Sequence, residues 1–378
     1  MNTVERETAG APFLPGDPAP WFRAPAIGGV ADYAFHTIAG RHVLLLFVPS
    51  ASLPAAQAAL ALVRAHESLF DDCGACFFGI TLDPHDAATG RLAPRVPGIR
   101  YFLDRDAAVS TLYGAVSAPG NPAPAGTPPT VTHHPCWLVL DPALCLVARF
   151  PLAEGAQAIA TLRRAARAAA DQDAWAPVLQ VPRVLDAELC RRLIDLYDRH
   201  GGEPSGFMRE QAGKTVLMAD PQHKQRRDCL VEDAALIAEL GRRVKRSVVP
   251  LVQRAFQFQA TRMERYLVGC YAPGEGHFRP HRDNTTRGTA HRRFAVTINL
   301  DAESYQGGDL RFPEFGPRTY RAPTGGAIVF SCSLLHEVLP VTSGRRLAFL
   351  PFLYDEAAAL QREANNPFLG STLEPYRA

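Results

Sequence analysis

The spacing of apolar residues changes character once along the chain, and that change limits the folds open to it. In the first half, continuous apolar runs alternate with a helical stretch: "HVLLLFV" (42–48), "PAAQAALALVRAHESLF" (54–70), "CFFGITL" (76–82) and "CWLVLD" (136–141). Strand, helix, strand predicts a mostly parallel sheet covered by helices, because parallel neighbours need a long crossover between them. After residue 262 the runs become short and closely spaced: "RYLVGCY", "HFRPHRD", "FAVTINL", "GDLRF", "GAIVFS", "HEVLPV" and "RLAFLPFLY", separated by Gly, Pro, Ser and Asn. Many short strands with such punctuation predict a sandwich, barrel or jelly roll. A chain of 378 residues has room for both patterns, since a single core rarely grows past about 250 to 300 residues.

The boundaries follow from composition. A Pro- and Gly-rich segment, "SAPGNPAPAGTPP" (117–129), interrupts the first half as an exposed loop, and "GAQAIATLRRAARAAADQ" closes it as a helix. The expected domains are therefore 1–172, α/β, and 173–378, with a helical lead-in at 173–262 and an all-β core at 263–355. In the lead-in, "DAELCRRLIDLYDRHG" reads as a helix capped by Gly201, and Pro250 should kink or end a turn of "EDAALIAELGRRVKRSVVPLVQRAF". No internal repeat links the two halves.

Charge excludes some partners. Lysine plus arginine (40) nearly cancels aspartate plus glutamate (38), which leaves no broad field for nucleic acid or an anionic membrane. The basic stretches "GRRVKRSVVPLVQR" and "HKQRRD" read as one solvated helical face without the aromatic platform of a single-strand binder. His291, Arg292 and Arg293 could meet an acidic substrate, but a solvated cluster at a strand entrance is the plainer reading. No apolar run reaches the roughly 20 residues of a membrane span, and the first residues lack the regions of a secretion signal, so the expected location is the cytoplasm. Eight cysteines in this length make no disulfide framework. Cys73 and Cys76 form one C-x-x-C, a redox dithiol, half a zinc site or inert thiols at a strand edge; no second C-x-x-C completes a zinc set.

The chemistry concentrates in "HFRPHRDN" (277–284). Pro280 argues for an extended stretch, in which side chains two apart share a face, so His281 and Asp283 point the same way. A third ligand candidate, His336, follows 55 residues after His281. Two histidines and one carboxylate leave open positions on Fe(II), as a bidentate co-substrate plus O₂ require. Ten residues after His336, beyond the "TSG" turn, Arg346 could grip a distal carboxylate in bidentate fashion. His277 shares the parity of His281, but Pro280 and Phe278 oppose a zinc-protease reading, which leaves His277 as a pocket-rim residue.

Over residues about 176 to 354 the chain resembles the Fe(II)/2-oxoglutarate-dependent dioxygenases of the prolyl 4-hydroxylase-like group. The resemblance rests on H-R-D, "GGDLRF", "GAIVF" and H-x3-P-V-x2-G-x-R. It implies a double-stranded β-helix (jelly roll) with iron bound by His281, Asp283 and His336. It further implies the 2-oxoglutarate C5 carboxylate bound by Arg346 with help from Tyr271, O₂ as co-substrate and ascorbate as an optional reductant. Arg345 is set aside, since neighbours on a strand face opposite ways and the family spacing favours Arg346. The implied reaction releases succinate and CO₂ and hydroxylates an unactivated C–H bond, with desaturation or cyclisation as variants.

The first half, over residues about 10 to 170, resembles a peroxiredoxin or redoxin domain of thioredoxin-like fold through "LPGDPAPWFRAPAIGG", "LLLFVPSAS", "FFGITLD", "FLDRDAAVSTLYG" and "PCWLVLDP". That family carries P-x3-T-x2-C; counted from Pro49, Leu53 takes the threonine position and Ala56 the cysteine position. Without the thiolate there is no nucleophile for peroxide, so the domain is expected to be a scaffold, a homodimerisation surface or a lid. The expected substrate is a small metabolite such as an amino acid or biosynthetic intermediate. A peptidyl side chain is the second choice, and a non-enzymatic redox-sensing module using Cys73 and Cys76 the third.

Overall fold

The computed structural model describes residues 13–117, 131–170 and 174–378, so most of the Pro- and Gly-rich segment, and the expected boundary at 172/173, lie outside the described residues. The chain divides into two compact units: the described residues through Ala174 with 313–316, and residues 175–312 with 317–378. Among the described residues, no helix is long and apolar enough to cross a membrane.

The first unit is built on five strands: β1 (His42–Val48), β2 (Ala75–Thr81), β3 (Ile99–Leu103), β4 (Cys136–Leu140) and β5 (Leu146–Pro151). Their order in the sheet is β3-β2-β1-β4-β5. β1 and β2 are buried at every position, which explains why both read as unbroken apolar runs. The expected predominance of parallel pairs is corrected here: β1/β2 and β2/β3 are parallel, but β1/β4 and β4/β5 are antiparallel. β4 and β5 are joined by a tight turn, which only antiparallel strands allow, and β5 has a half-buried pattern that makes no continuous apolar run in the sequence.

Helix α1 (Pro54–Ala65) opens with proline in its first turn and turns Ala56, Ala59, Leu60 and Val63 inward, the one-face spacing of a 3.6-residue period. They meet Trp137 of β4 and, from helix α2 (Gly155–Ala170), Ile159 and Leu162 in one core. Ala56 thus sits in the first turn of α1, and its methyl group is core packing. Cys73 is exposed and Cys76 buried. Burial pushes the Cys76 thiol up to about 12, so it does not ionise near neutral pH.

The second unit carries helices α3 (Ala187–His200), α4 (Ala234–Ser247) and α5 (Val249–Phe256) in its N-terminal part, with short strands before and between them. Asp186 caps α3 by accepting from the Leu189 amide at 2.9 Å, and Gly201 ends it at φ +68°. Val248 separates α4 from α5, with Pro250 in the first turn of α5, as its missing N–H dictates. Arg242, Lys245 and Arg246 lie exposed on α4, while Leu240, Val244 and Val252 pack with Val268, Ile298 and Phe349 of the larger sheet.

That sheet contains β6 (Leu179–Val181), β8 (Arg227–Leu230), β9 (Arg262–Glu264), β10 (Leu267–Tyr271), β12 (Phe294–Asn299), β15 (Ala327–Ser331), β17 (Arg346–Phe349) and β18 (Phe352–Tyr354). Its main path is β6-β15-β12-β17-β10-β8, ending on a short edge strand, Glu203–Pro204. The smaller sheet runs β7-β11-β16-β13-β14: Lys224–Gln225, His277–His281, His336–Val338, Leu310–Arg311 and Thr319–Tyr320. Every pairing in both sheets is antiparallel. Strands β6, β7 and β8 and a hairpin of Phe207–Gln211 with Lys214–Met218 fall in the stretch expected to be helical.

Candidate metal centre and co-substrate pocket

The smaller sheet brings the first cluster together. His281 ends β11 and His336 begins β16, and the two are direct partners across the ladder. Pro280 precedes His281, and the ladder slips between Phe278 and His281. Proline has no N–H to give, and an irregularity of this kind re-aims the side chains that follow. Asp283 lies two residues on, its amide held by the Cys332 carbonyl at 3.0 Å. The ligand atoms of His281, Asp283 and His336 all lie within 4.8 Å of one another.

Each ring is oriented from behind. His281 Nδ1 meets the Arg279 carbonyl at 2.8 Å and His336 Nδ1 meets the Leu334 carbonyl at 3.0 Å. A carbonyl can only accept, so both Nδ1 atoms carry the proton and the Nε2 atoms are the ones left for a metal. Those Nε2 atoms stand 3.6 Å and 3.3 Å from the two Asp283 oxygens. Burial, followed by the His336 ring, pulls His281 down to about 4. Burial works to raise the Asp283 carboxyl, but the His336 and His281 rings beside it win and hold it well below the usual carboxylate range. Two imidazole nitrogens and one carboxylate, held together out of water, form a donor set that fits Fe(II).

The larger sheet supplies the second cluster. Tyr271 of β10 is the ladder partner of Arg346 of β17. Arg346 is 3 % exposed; its Nη2 donates to Thr297 Oγ1 at 2.9 Å, while Nε and Nη1 find no acceptor. Leaving a buried cation's donors unmade costs several kcal/mol in order of magnitude, and a carboxylate entering the cavity would satisfy one of them with a charge-assisted bond. Arg345 faces away and binds Asp198 through two bonds of 2.5 and 2.7 Å. Gly344 makes the turn before them at φ +66°, where a Cβ would stand 2.1 Å from the Ser304 carbonyl oxygen. Both clusters line one cavity of about 500 Å³, counted to its open mouth, with Val296, Leu310, Phe330 and Val338 as apolar wall.

Charged residues at the cavity wall and behind it lie where no site was expected. "HKQRRD" is strand, not a solvated helical face, and Lys224 and Arg226 are buried. Lys224 Nζ donates to Ser205 Oγ at 2.7 Å and the Gly206 carbonyl at 2.6 Å. Arg226 grips Asp228 through bonds of 2.6 and 2.8 Å and reaches the Tyr271 hydroxyl at 3.4 Å. The signal was alternation: Lys224, Arg226 and Asp228 share one face, with Gln225 and Arg227 on the other.

The charges before β12 are not a solvated cluster either. His291 is 1 % exposed and meets Glu264 Oε1 at 3.1 Å; Arg292 donates to the same oxygen at 2.7 Å, and Arg293 reaches Gln361 at 2.9 Å. Burial tends to raise the Glu264 carboxyl, but Arg292, His291 and Arg362 hold it far below its ordinary value. His277 is not part of the cavity wall; its nitrogens face the carbonyls of Glu275 and Gln222 at 2.6 and 3.2 Å.

A family model described as the 2OG-Fe(II) oxygenase superfamily matches residues 266–354. A PKHD-type hydroxylase of Stenotrophomonas maltophilia (strain R551-3) is 30% identical over 183 residues, 45% of this chain and 75% of its own length. One from Azoarcus sp. (strain BH72) is 31% identical over 149 residues, 36% of this chain and 64% of its own. Another, from Verminephrobacter eiseniae, is 27% identical over 123 residues, covering 29% of this chain and 54% of its own length. The chain thus spans between half and two thirds of the last two relatives. Among solved structures, a Pseudomonas putida prolyl-4-hydroxylase is 20% identical, covering 50% of this chain and 98% of its own at a TM-score of 0.35. A structure of Xanthomonas campestris peroxiredoxin Q is 17% identical, covering 42% of this chain and 99% of its own at a TM-score of 0.33. The family match begins one residue before the Tyr271 strand and ends on the last residue of β18, Tyr354, so it encloses both clusters. On that match and the shared three quarters of the S. maltophilia relative, the chain belongs to the 2OG-Fe(II) oxygenase superfamily, whose chemistry uses Fe(II), 2-oxoglutarate and O₂.

Proposed function

We propose that the chain is a 2-oxoglutarate-dependent dioxygenase that hydroxylates an unactivated C–H bond of a small molecule. The observation that carries this reading is the juxtaposition, in one cavity, of a His–Asp–His donor set and a buried arginine with two unpartnered nitrogens. The two facing sheets are read as a double-stranded β-helix. The first unit is read as a thioredoxin-like scaffold ending near residue 172, available for pairing with a second copy of the chain. The printed names of the curated relatives, PKHD-type hydroxylases, favour hydroxylation as the outcome.

Iron held by His281, Asp283 and His336 supplies the redox chemistry that couples oxidative decarboxylation of 2-oxoglutarate to oxidation of a C–H bond. The protein's own groups do the rest. Arg346 holds the distal carboxylate by charge-assisted bonds from its guanidinium, with Nη1 as the free terminal donor. Thr297 fixes the guanidinium from one side, and the Tyr271 ring lies 5.2 Å from its carbon. The apolar wall keeps water from the reacting end. The site is a cavity with an apolar wall and a few convergent polar groups, the form that small-molecule sites take, which supports a metabolite over a polypeptide side chain.

The test follows succinate release by the full chain with Fe(II), ascorbate and 2-oxoglutarate, alone and against separate libraries of metabolites and peptides. Stimulation by a metabolite, with stoichiometric hydroxylated product, is the expected result. Stimulation by peptides alone would reverse the substrate assignment, and no succinate at all would remove the dioxygenase reading.

A further inference from the structure

Arg265 is a second cation of this cavity with unused donors. It stands between β9 and β10 at φ +66°, a left-handed backbone that a long side chain rarely adopts and that costs about 1 kcal/mol or more. Its guanidinium lines the same cavity as His281, Asp283 and Arg346. Among the described residues only Nη2 finds an acceptor, Asp228 Oδ2 at 3.1 Å, and the side chain is 28 % exposed. Asp228 is already held by both nitrogens of the Arg226 fork, so neutralising it does not require Arg265.

Arg226 and Arg265 both pair with one carboxylate, Asp228, at 2.6 and 3.1 Å, and Glu264 adds a negative charge near Arg265. Burial, and then the neighbouring Arg226 and Arg292, pull Arg265 down to about 10. A guanidinium donor that no protein group takes is met by water or by an anion entering the cavity, and the anion makes the stronger, charge-assisted bond. Arg346 already suits the distal carboxylate of 2-oxoglutarate, and the keto acid end belongs at the metal. Arg265 is left for another anion. Beside it, Leu350, Pro351 and Phe352 form an apolar surface, with the Phe352 ring 5.7 Å from the guanidinium carbon.

We infer that Arg265 binds a carboxylate of the molecule that is oxidised, whose apolar body lies along Leu350–Phe352. The inference rests on the dioxygenase reading and narrows its substrate to small carboxylic acids.

The experiment uses the full chain, loaded with Fe(II) and saturating 2-oxoglutarate. The probes are the proteinogenic L-amino acids and a series of aliphatic and aromatic carboxylic acids, each beside its primary amide, together with alkyl phosphates. Succinate release is read as stimulation over each variant's own substrate-free rate. One or more acids should stimulate roughly 10- to 100-fold more effectively, in kcat/KM, than the matched amide. Arg265→Gln should erase that preference chiefly through the acid's KM, and Arg265→Lys should keep part of it, which a purely structural role would not produce. Amides matching their acids, phosphates alone stimulating, no acid stimulating, or a preference surviving in Arg265→Gln would each overturn the inference. So would a 2-oxoglutarate KM raised as far by Arg265→Gln as by Arg346→Ala. Absence of any succinate release would instead sink the dioxygenase reading. In that event thermal shifts with the same pairs still decide on Arg265: acid-specific shifts lost in Arg265→Gln support it, and equal shifts for acid and amide overturn it.

Discussion

His281 and His336 are separated by 55 residues in the chain and by no residue across the ladder, where they are direct antiparallel partners. The strand pair fixes the spacing of the two rings, and the carbonyls of Arg279 and Leu334 fix their rotation. Neither ring has to reorganise to accept a metal ion. Replacing His281, Asp283 or His336 by alanine should therefore weaken binding of Fe(II), or of Mn(II) as a redox-quiet probe, by more than about 100-fold. Equilibrium dialysis reads this without turnover. Any of the three variants that binds metal like the parent is not a ligand.

The same burial predicts a pH dependence of stability. His281 titrates near 6.5 when unfolded and is pulled down to about 4 in the fold. Between those values the unfolded chain binds the proton and the folded chain does not. Stability of the metal-free protein should thus fall as pH drops from about 6.5 toward 4 and gain nothing further from this group below that. The loss amounts to up to about 3 kcal/mol at the bottom of the window. Denaturant melts at stepped pH measure it, and His281→Asn should flatten the slope; a slope unchanged by that substitution would assign it elsewhere.

Arg346 and Arg345 differ in what they face. Arg346→Ala should raise the 2-oxoglutarate KM roughly 10- to 150-fold, the equivalent of about 1.5 to 3 kcal/mol for a charge-assisted contact. Arg345→Ala breaks only an exposed pair with Asp198, worth about 1 kcal/mol of stability or less, and should leave KM nearly unchanged. Equal effects would place the co-substrate carboxylate away from β17.

These contrasts show what was legible beforehand. The parity of His281 and Asp283, the turn at Gly344 and the inward facing of Arg346 are properties of short-range spacing, and spacing is what a sequence displays. The positions of Lys224, Arg226 and Arg265 are not of that kind. A strand such as "KQRRD" carries no apolar signal, because its buried face is made of charges compensated by Asp228 and by Ser205. The same holds for Glu264, which is met by His291, Arg292 and Arg362 from distant parts of the chain. Charge burial of this sort depends on which strands become neighbours, and only the folded topology decides that.

The first unit should not reduce peroxides. The position that the redoxin-like motif assigns to a peroxidatic thiolate is Ala56, a methyl group packed in the core, and Leu53 offers no side-chain cap to the helix beside it. Cys76 is pushed up to about 12 by burial, and a thiol needs its anion to attack. Full-length protein with hydrogen peroxide or an alkyl hydroperoxide and a dithiol donor should show no turnover above buffer. Activity that vanished in Cys73→Ser would relocate a redox centre to the exposed thiol.

Gly269 tests how tightly the larger sheet holds its charged face. It lies in β10, opposite Asp228 in the ladder, and a Cβ there would stand 2.7 Å from Leu350 Cδ1 and 3.0 Å from Arg226 Cδ. Arg226 is held on three sides by Asp228, Ser205 and Tyr271, so it cannot simply swing aside. Gly269→Ala should cost about 1 to 3 kcal/mol of stability, as overpacking of a filled interior does. Because Arg226 reaches the Tyr271 hydroxyl and Tyr271 partners Arg346, the 2-oxoglutarate KM should rise as well, by a smaller factor than in Arg346→Ala. A denaturant melt paired with a 2-oxoglutarate titration reads both effects. Lost stability with an unmoved KM would mean that Arg226 supports the sheet alone and has no part in positioning the co-substrate.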